Sequence, residues 1–434
     1  MVVSFFWETT ISFSFRNSED KLSQEDNVSF ALKLENKDSD FQDTREIDLL
    51  LKSFLARNKV MGASVAITNK EKLVYSKGFG LANSETGDSV QPGHLFRIAS
   101  ISKLITAVAI LKLCENGYCD LDDQVFGPAG ILNDDKFLDY KDRWIDKITV
   151  RHLLNHTAGW SKSKGDPIFN PLYVAEKMNI KPPITVDDLI VFTLSQNLWY
   201  PPGSRYSYSN FGYAVLGKII EKVSGMAYED YVTMNILKPL EIKDMHIGKS
   251  LYYQKYPNEV MYFEPYGSEK SLIYDGSGQV GSVAYGGNDI ELLGAAGGWI
   301  ASAPELVKFM TAIDGFGGQP DILSKETIKM MTDPKNAGSG LYGWRGTDQK
   351  GTWWRTGSLA GSTALIVRQG NGVNWVVLLN SSSIYRNRIH SRLSRTMFTA
   401  TYSTKQWPDI NLFYAKKQNA PWPIASIPSV NPEL

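Results

Sequence analysis

Ser100-Ile101-Ser102-Lys103 opens a long, mainly apolar run from Leu104 to Leu113, and this junction constrains the chain more than any other stretch. A serine hydroxyl is a poor nucleophile at neutral pH and needs a base within hydrogen-bond reach. Residues three apart on a helix share a face, so Lys103 lies one turn behind Ser100 and can point at it. Ile101, Leu104, Ile105, Val108, Ile110 and Leu113 leave this helix little polar surface, which predicts burial. Burial penalises the ammonium form, lowers a lysine pKa and makes the amine a usable base. Two common residues at this spacing also arise by chance on surface helices, so the chemistry needs support from elsewhere in the chain.

Two further segments supply it. Tyr206-Ser207-Tyr208-Ser209-Asn210 follows the turn-forming Pro201-Pro202-Gly203 and sets a phenol and a carboxamide two residues apart. Such a pair can pass a proton and hold an amide. Trp353-Trp354-Arg355-Thr356-Gly357-Ser358, between strand-like stretches, lines up a cation, a hydroxyl and a small residue on an expected sheet edge. The order Ser-x-x-Lys, Tyr-x-Asn, cation-Thr-Gly resembles the serine β-lactamase and penicillin-binding-protein superfamily. The tyrosine form of the second motif is similar to the class C β-lactamases, D-alanyl-D-alanine carboxypeptidases and related carboxylesterases. Ile148–Gly159, Gly297–Ser302 and Leu341–Trp344 extend the resemblance, which covers residues from about 46 to 400.

The resemblance implies a metal-free and cofactor-free serine acyl hydrolase. Ser100 would attack a carbonyl to form an acyl-enzyme, with Lys103 and Tyr208 sharing the proton work; sequence leaves open which is the acylation base. Backbone N–H groups of Ser100 and Ser358 would hold the oxyanion, and Asn210 would orient either the substrate amide or the lysine. Arg355, Thr356, Gly357 and Ser358 form the third motif, which with Asn210 would contact substrate. Family members usually carry Lys or His where Arg355 stands. Arginine stays charged at any working pH and can grip a carboxylate through two parallel hydrogen bonds, but it cannot donate a proton in turnover. Its alternative is a structural ion pair. The leading expectation is therefore a carboxylesterase; a true β-lactamase, a D-alanyl-D-alanine carboxypeptidase or a D-aminopeptidase is the alternative. A non-catalytic binding or assembling relative is the rival from another class.

His152 and His156 stand at i, i+4, yet Leu153 replaces the glutamate that a zinc-protease helix needs, so both read as structural. The chain holds no Gly-x-Ser-x-Gly elbow. Cys114 and Cys119 read as free thiols, or as a disulfide if the turn at Gly117 brings them together. Trp160, Trp199, Tyr200, Trp344, Trp353 and Trp354 are candidates for an apolar pocket or for core, and the glycines from 276 to 298 for a flexible segment near the cleft.

Periodicity organises the rest. Ile47, Leu50, Leu51, Phe54 and Leu55 form the stripe of an amphipathic helix. Ala63–Thr68 and Leu73–Gly78 predict one hairpin, Gly361–Arg368 and Val373–Leu379 another, followed by a basic helix from Ile384 to Thr399. Strands at both chain ends around a mainly helical middle, about 95 to 240, predict an α+β fold. Its antiparallel sheet would be built from both ends and flanked by helices, as the resemblance also implies. The expected divisions are a polar N-terminal extension or leader (1–45), the hydrolase domain (46–400) and a Pro-rich tail (401–434). In the extension, Ile11–Phe15 and Val28–Leu34 alternate like strands or belong to a disordered leader.

Lys plus Arg and Asp plus Glu balance at 46 each, so there is no basic footprint for nucleic acid or an anionic membrane. No run approaches the roughly 18 apolar residues of a membrane span. Met1–Trp7 is apolar, but no basic residue precedes it and Glu8 interrupts it, a poor signal peptide. Export is favoured by resemblance alone. The expected partner is a small ester, amide or peptide substrate.

Overall fold

The computed structural model of the chain describes residues 28–333, 335, 341–382 and 388–414. Ile11–Phe15, Ile384 and the prolines from Pro421 onward lie outside them. In chain order the strands are β1 (Gly62–Asn69), β2 (Lys72–Gly80), β3 (Phe96–Arg97), β4 (His246–Ile247), β5 (Lys270–Leu272), β6 (Val280–Ser282), β7 (Trp299–Ala301), β8 (Gly346–Thr347), β9 (Trp353–Leu359), β10 (Ser362–Arg368) and β11 (Val373–Leu379). The α-helices are α1 (Arg45–Asn58), α2 (Ser102–Glu115), α3 (Val150–Leu154), α4 (Pro171–Met178), α5 (Val186–Leu194), α6 (Asn210–Ser224), α7 (Tyr228–Val232), α8 (Ile290–Gly297), α9 (Ala303–Thr311), α10 (Lys325–Thr332) and α11 (Arg388–Ser403).

The main sheet has six strands in the order β2-β1-β11-β10-β9-β8. Every pairing in it is antiparallel, and β1 meets β11 with Ala63 opposite Leu379, so the two chain ends close the sheet together. The first hairpin turns on Lys70 and Glu71, at φ 49° and 61°. That positive-φ pair is the shape two-residue hairpins need, formed here without glycine.

Side chains alternate across a strand, and the two sets enter different cores. Val65, Ile67, Leu365, Val367, Trp375, Val377 and Leu379 meet Ile47, Leu51 and Phe54 of α1 and Leu393 and Met397 of α11. Ala66, Ala364, Ile366, Val376 and Leu378 face the larger core that holds α2 and the helical middle. α2 is apolar nearly all round, and from Ser102 to Ile110 every side chain is buried. A helix with no polar face belongs in the centre.

Val28–Leu34 forms no strand. Phe30–Lys33 is a 3-10 turn, with the Ser29 hydroxyl accepting from the Ala31 N–H at 3.1 Å. Side chains downstream of it meet the outer edge of β2. Asn36 Oδ1 accepts from Gly78 N–H at 2.7 Å, and Ser39 Oγ accepts from Ser76 N–H at 2.8 Å and donates to Ser76 C=O at 2.9 Å. An exposed strand edge is thereby blunted by side chains instead of another strand. Among the described residues no helix is long and apolar enough to cross a membrane.

Candidate active site

Three elements converge on Ser100. It lies in the 3-10 turn Ala99–Ile101 that leads into α2, and its neighbour Ala99 is held at φ 48°, a left-handed conformation that a Cβ disfavours. Packing and hydrogen bonds fix the turn. Ile98 N–H donates to Trp299 C=O at 3.0 Å, and Arg355 Nε donates to the Ser100 carbonyl at 2.8 Å. Gly357 of β9 lies so close that a Cβ there would fall 2.2 Å from the Ile98 carbonyl oxygen.

The Tyr-x-Asn spacing has a local cause. Ser209 is the N-cap of α6, extended at φ −132°, and its hydroxyl accepts from the Gly212 N–H at 3.0 Å. Tyr208 therefore stands just outside the helix and Asn210 in its first turn.

A hydrogen bond of 2.9 Å joins Ser100 Oγ to Tyr208 Oη. Lys103 Nζ is 3.5 Å from the same Oγ, donates to Asn210 Oδ1 at 2.7 Å, and also donates to the Ala296 carbonyl. Those three acceptors match the three N–H groups of an ammonium. Asn210 spends both ends of its amide within the site, since Nδ2 donates to Asp166 Oδ2 at 3.1 Å. Its backbone N–H reaches the same oxygen at 2.7 Å. Of the two roles open to Asn210, the lysine is the one it contacts.

Arg355 is turned inward, at 2% exposure. Besides the Ser100 carbonyl, it donates through Nη2 to Tyr208 Oη at 3.2 Å. The expectation of a guanidinium gripping a substrate carboxylate is thus met by a side chain engaged with the site itself. Thr356 is half-buried and Ser358 exposed on β9, which is the next-to-last strand rather than the edge. Its edge neighbour β8 pairs only with Trp353 and Trp354. On that side Arg355–Leu359 is free of strand pairing among the described residues. From behind, His390 donates to the Gly357 carbonyl at 3.1 Å.

Electrostatics divide the two candidate bases. Burial lowers the Lys103 pKa below its ordinary 10.5, and Arg355 pushes the same way, while Tyr208 opposes both. Burial would raise the Tyr208 phenol, but the Lys103 and Arg355 charges and the hydrogen bonds from Lys103 and Ser100 outweigh it and bring the phenol to about 8.

His156, read from sequence as structural only, has its ring 4.5 Å from that of Tyr208 and 5.1 Å from that of Tyr213. Burial first, then the charges of Arg355 and Lys103, hold it well below the ordinary histidine range, so it is a neutral wall of the site. Asp166 and the Ala296 carbonyl had no sequence signal: one lies in a polar loop, the other is backbone. His152 caps α3, accepting from Thr149 N–H at 3.2 Å. Of the glycines from 276 to 298, Gly298 is tightly packed, with a Cβ there standing 2.5 Å from the Ile290 carbonyl oxygen, whereas Gly278 and Gly294 have open space at that position.

Beside Tyr208 opens a cavity of about 590 Å³, walled by Trp160, Tyr173, Phe192, Leu198, Trp199 and Phe211. The aromatic candidates thus separate. Trp160 and Trp199 line the cavity, whereas Trp344 is buried in the larger core and Trp354 packs against the other one.

Residues 47–392 match the family model described as Beta-lactamase. The chain belongs to the beta-lactamase family. Among curated proteins it is 28% identical over 212 residues to Protein flp of Staphylococcus aureus (strain MW2), covering 49% of this chain and 40% of that one. It is 29% identical over 182 residues to Penicillin-binding protein 4* of Bacillus subtilis (strain 168), covering 40% and 35%. These matches span less than half the length of either relative.

Among solved structures, an octameric penicillin-binding protein homologue from Pyrococcus abyssi superposes at a TM-score of 0.62 with 28% identity, covering 85% of this chain and 80% of that one. The D-amino acid amidase of Ochrobactrum anthropi SV3 superposes at 0.65 with 22% identity, covering 84% and 100%. EstCE1, a hydrolase with promiscuous acyltransferase activity, does so at 0.62 with 18% identity, covering 82% and 98%. The fold is that of this beta-lactamase family, α+β with its sheet built from both chain ends.

Proposed function

We propose that this protein is a serine acyl hydrolase of the carboxylesterase type, working through an acyl-enzyme on Ser100. The observation that carries the reading is the 2.9 Å hydrogen bond between Ser100 Oγ and Tyr208 Oη, with Lys103 and Arg355 both donating toward that pair.

In this reading Tyr208, as phenolate, takes the Ser100 proton while Oγ attacks the substrate carbonyl. Lys103 stays an ammonium, because three acceptors surround it, and its charge favours the phenolate. The negative charge that develops on the carbonyl oxygen is met by the backbone N–H groups of Ser100 and Ser358. The close approach that Gly357 permits between β9 and the Ile98–Ser100 turn supports that pairing. Removing one such donor typically costs about a hundred- to a thousandfold in rate. As the tetrahedral species collapses, Tyr208 returns the proton to the leaving group. Water then repeats the sequence on the acyl-enzyme, with Tyr208 again as base.

Two observations favour esters over β-lactams. Arg355 is occupied by the Ser100 carbonyl and Tyr208, which leaves it poorly placed to receive a β-lactam carboxylate. The cavity beside Tyr208 combines aromatic surface with Lys141, Lys164 and Asp166 and has room for an aryl or medium-chain group. The test is a hydrolysis screen across p-nitrophenyl esters, a chromogenic cephalosporin and D-alanyl anilides, with fluorophosphonate labelling mapped by mass spectrometry. Ester turnover with an adduct on Ser100 is expected. Efficient cephalosporin turnover with negligible esterase activity would move the protein among true β-lactamases, and no labelling at all would make it a binding relative.

A further inference from the structure

At the far end of α2 from Ser100, the sulfurs of Cys114 and Cys119 stand 3.2 Å apart as a hydrogen-bonded pair of free thiols. Their approach follows from how the helix ends. Gly117, at φ 74°, donates its N–H to the Cys114 carbonyl at 3.0 Å, and Tyr118 N–H donates to the Leu113 carbonyl at 3.0 Å. This pair of bonds is the Schellman arrangement, in which a left-handed glycine folds the chain back over the last helical turn. Cys119 is the second residue after that glycine and is carried back beside Cys114. A disulfide has an S–S distance of about 2.05 Å, so the sulfurs have roughly 1.2 Å to close, within reach of side-chain rotation. Both thiols are partly exposed, and Glu115–Tyr118 between them is exposed to solvent.

We infer that Cys114 and Cys119 are a modification site, a dithiol that closes to an intramolecular disulfide by exchange with a low-molecular-weight disulfide such as oxidised glutathione. The hydrogen bond between the two thiols favours a thiolate on one of them. One of the two, as thiolate, attacks one sulfur of the oxidant, forms a mixed disulfide and releases one glutathione thiolate. The other then gives up its proton to water or to that thiolate, attacks the protein sulfur of the mixed disulfide and displaces the second. Two protein thiols and one glutathione disulfide become one protein disulfide and two glutathione thiols, with no other electron acceptor. The bond closes a short loop and ties the helix end to the chain after it, so its effect falls on stability rather than on the distant Ser100 site.

The experiment incubates the folded full chain with oxidised glutathione and reads intact mass and maleimide labelling after denaturation. Loss of two hydrogens with no labelled cysteine is expected, together with a Tm above that of the dithiothreitol-reduced protein by about 2–4 °C. Two labelled cysteines, a lasting glutathione adduct on the unmutated protein, or a disulfide-linked dimer would overturn the inference. Cys114→Ser and Cys119→Ser are each expected to keep glutathione on the remaining cysteine, because the resolving thiol is gone. Failure of both variants to take up glutathione would overturn the inference.

Discussion

Tyr208 Oη stands 2.9 Å from Ser100 Oγ, while Lys103 Nζ stands at 3.5 Å with its stronger contact to Asn210 at 2.7 Å. In the proposed mechanism the phenol is the proton acceptor and the lysine the charge that tunes it. Tyr208→Phe is therefore expected to lower the acylation rate by about a hundred- to ten-thousandfold, the usual contribution of general base catalysis. Single-turnover kinetics with an activated ester checks this, and near-unchanged acylation would remove Tyr208 from the proton path.

The same pair fixes a pH dependence. Tyr208 titrates at about 8, lowered by Lys103 and Arg355 against burial. A base acts only when deprotonated, so kcat/KM should rise with pH and level off above about 8. Lys103→Met removes the nearest stabilising charge and should displace that limb upward. A limb that stays in place in Lys103→Met would mean that another group titrates.

Arg355 donates to the Ser100 carbonyl and to Tyr208 rather than outward. Arg355→Ala is accordingly expected to slow neutral and anionic esters alike. Loss of one charge-assisted hydrogen bond corresponds to roughly ten- to a hundredfold. Paired kcat/KM values for a neutral ester and its carboxylate-bearing analogue are the measurement. A selective loss on the anionic partner would restore the carboxylate-receptor role.

Gly357 faces the Ile98 carbonyl with no room for a side chain. Gly357→Ala must push β9 away from the Ser100 turn, or the turn away from β9. A stability loss of about 1–3 kcal/mol, typical of overpacking, is expected in denaturant titration, along with a fall in activity. Unchanged activity would show that the spacing between Ser100 and Ser358 is not critical.

Residues 28–44 cover the edge of β2 through Asn36 and Ser39, and Leu34 enters the larger core. Deleting the chain through residue 44 should lower Tm. Each lost side-chain bond to the β2 backbone contributes roughly 1 kcal/mol, and the uncovered edge invites association. Ser39→Ala alone should show a smaller shift of the same sign. An unaltered Tm and a monodisperse truncated protein would show the edge needs no cover.

Much of this architecture is a local matter and was therefore legible in the chain. The α1 stripe, the two hairpins around residues 69–72 and 369–372, and the apolar α2 behind Ser100 each follow from side-chain periodicity within a few residues. The motif order placed Ser100, Lys103, Tyr208, Asn210 and Arg355 in one candidate site, and the fold brings them together. Local pattern failed where the outcome depended on what lay opposite. Val28–Leu34 alternates like a strand but folds as a turn, because Asn36 and Ser39 satisfy the β2 edge. Trp160 and Trp344 look alike in sequence, yet one lines a cavity and the other fills the core.

Residue types alone determined which groups could act: one hydroxyl with an amine a turn away, a phenol beside a helix cap, and a guanidinium that cannot give up its proton. Tertiary structure decided how they are arranged. Tyr208 is nearest to Ser100 because Ser209 caps α6, which packs beside α2. Arg355 points inward because Gly357 draws β9 against the Ser100 turn, and His156 is a neutral wall because its burial outweighs its basicity. Each of these distances joins residues far apart in sequence, where only the packing of helix and sheet sets which polar groups share a space without water.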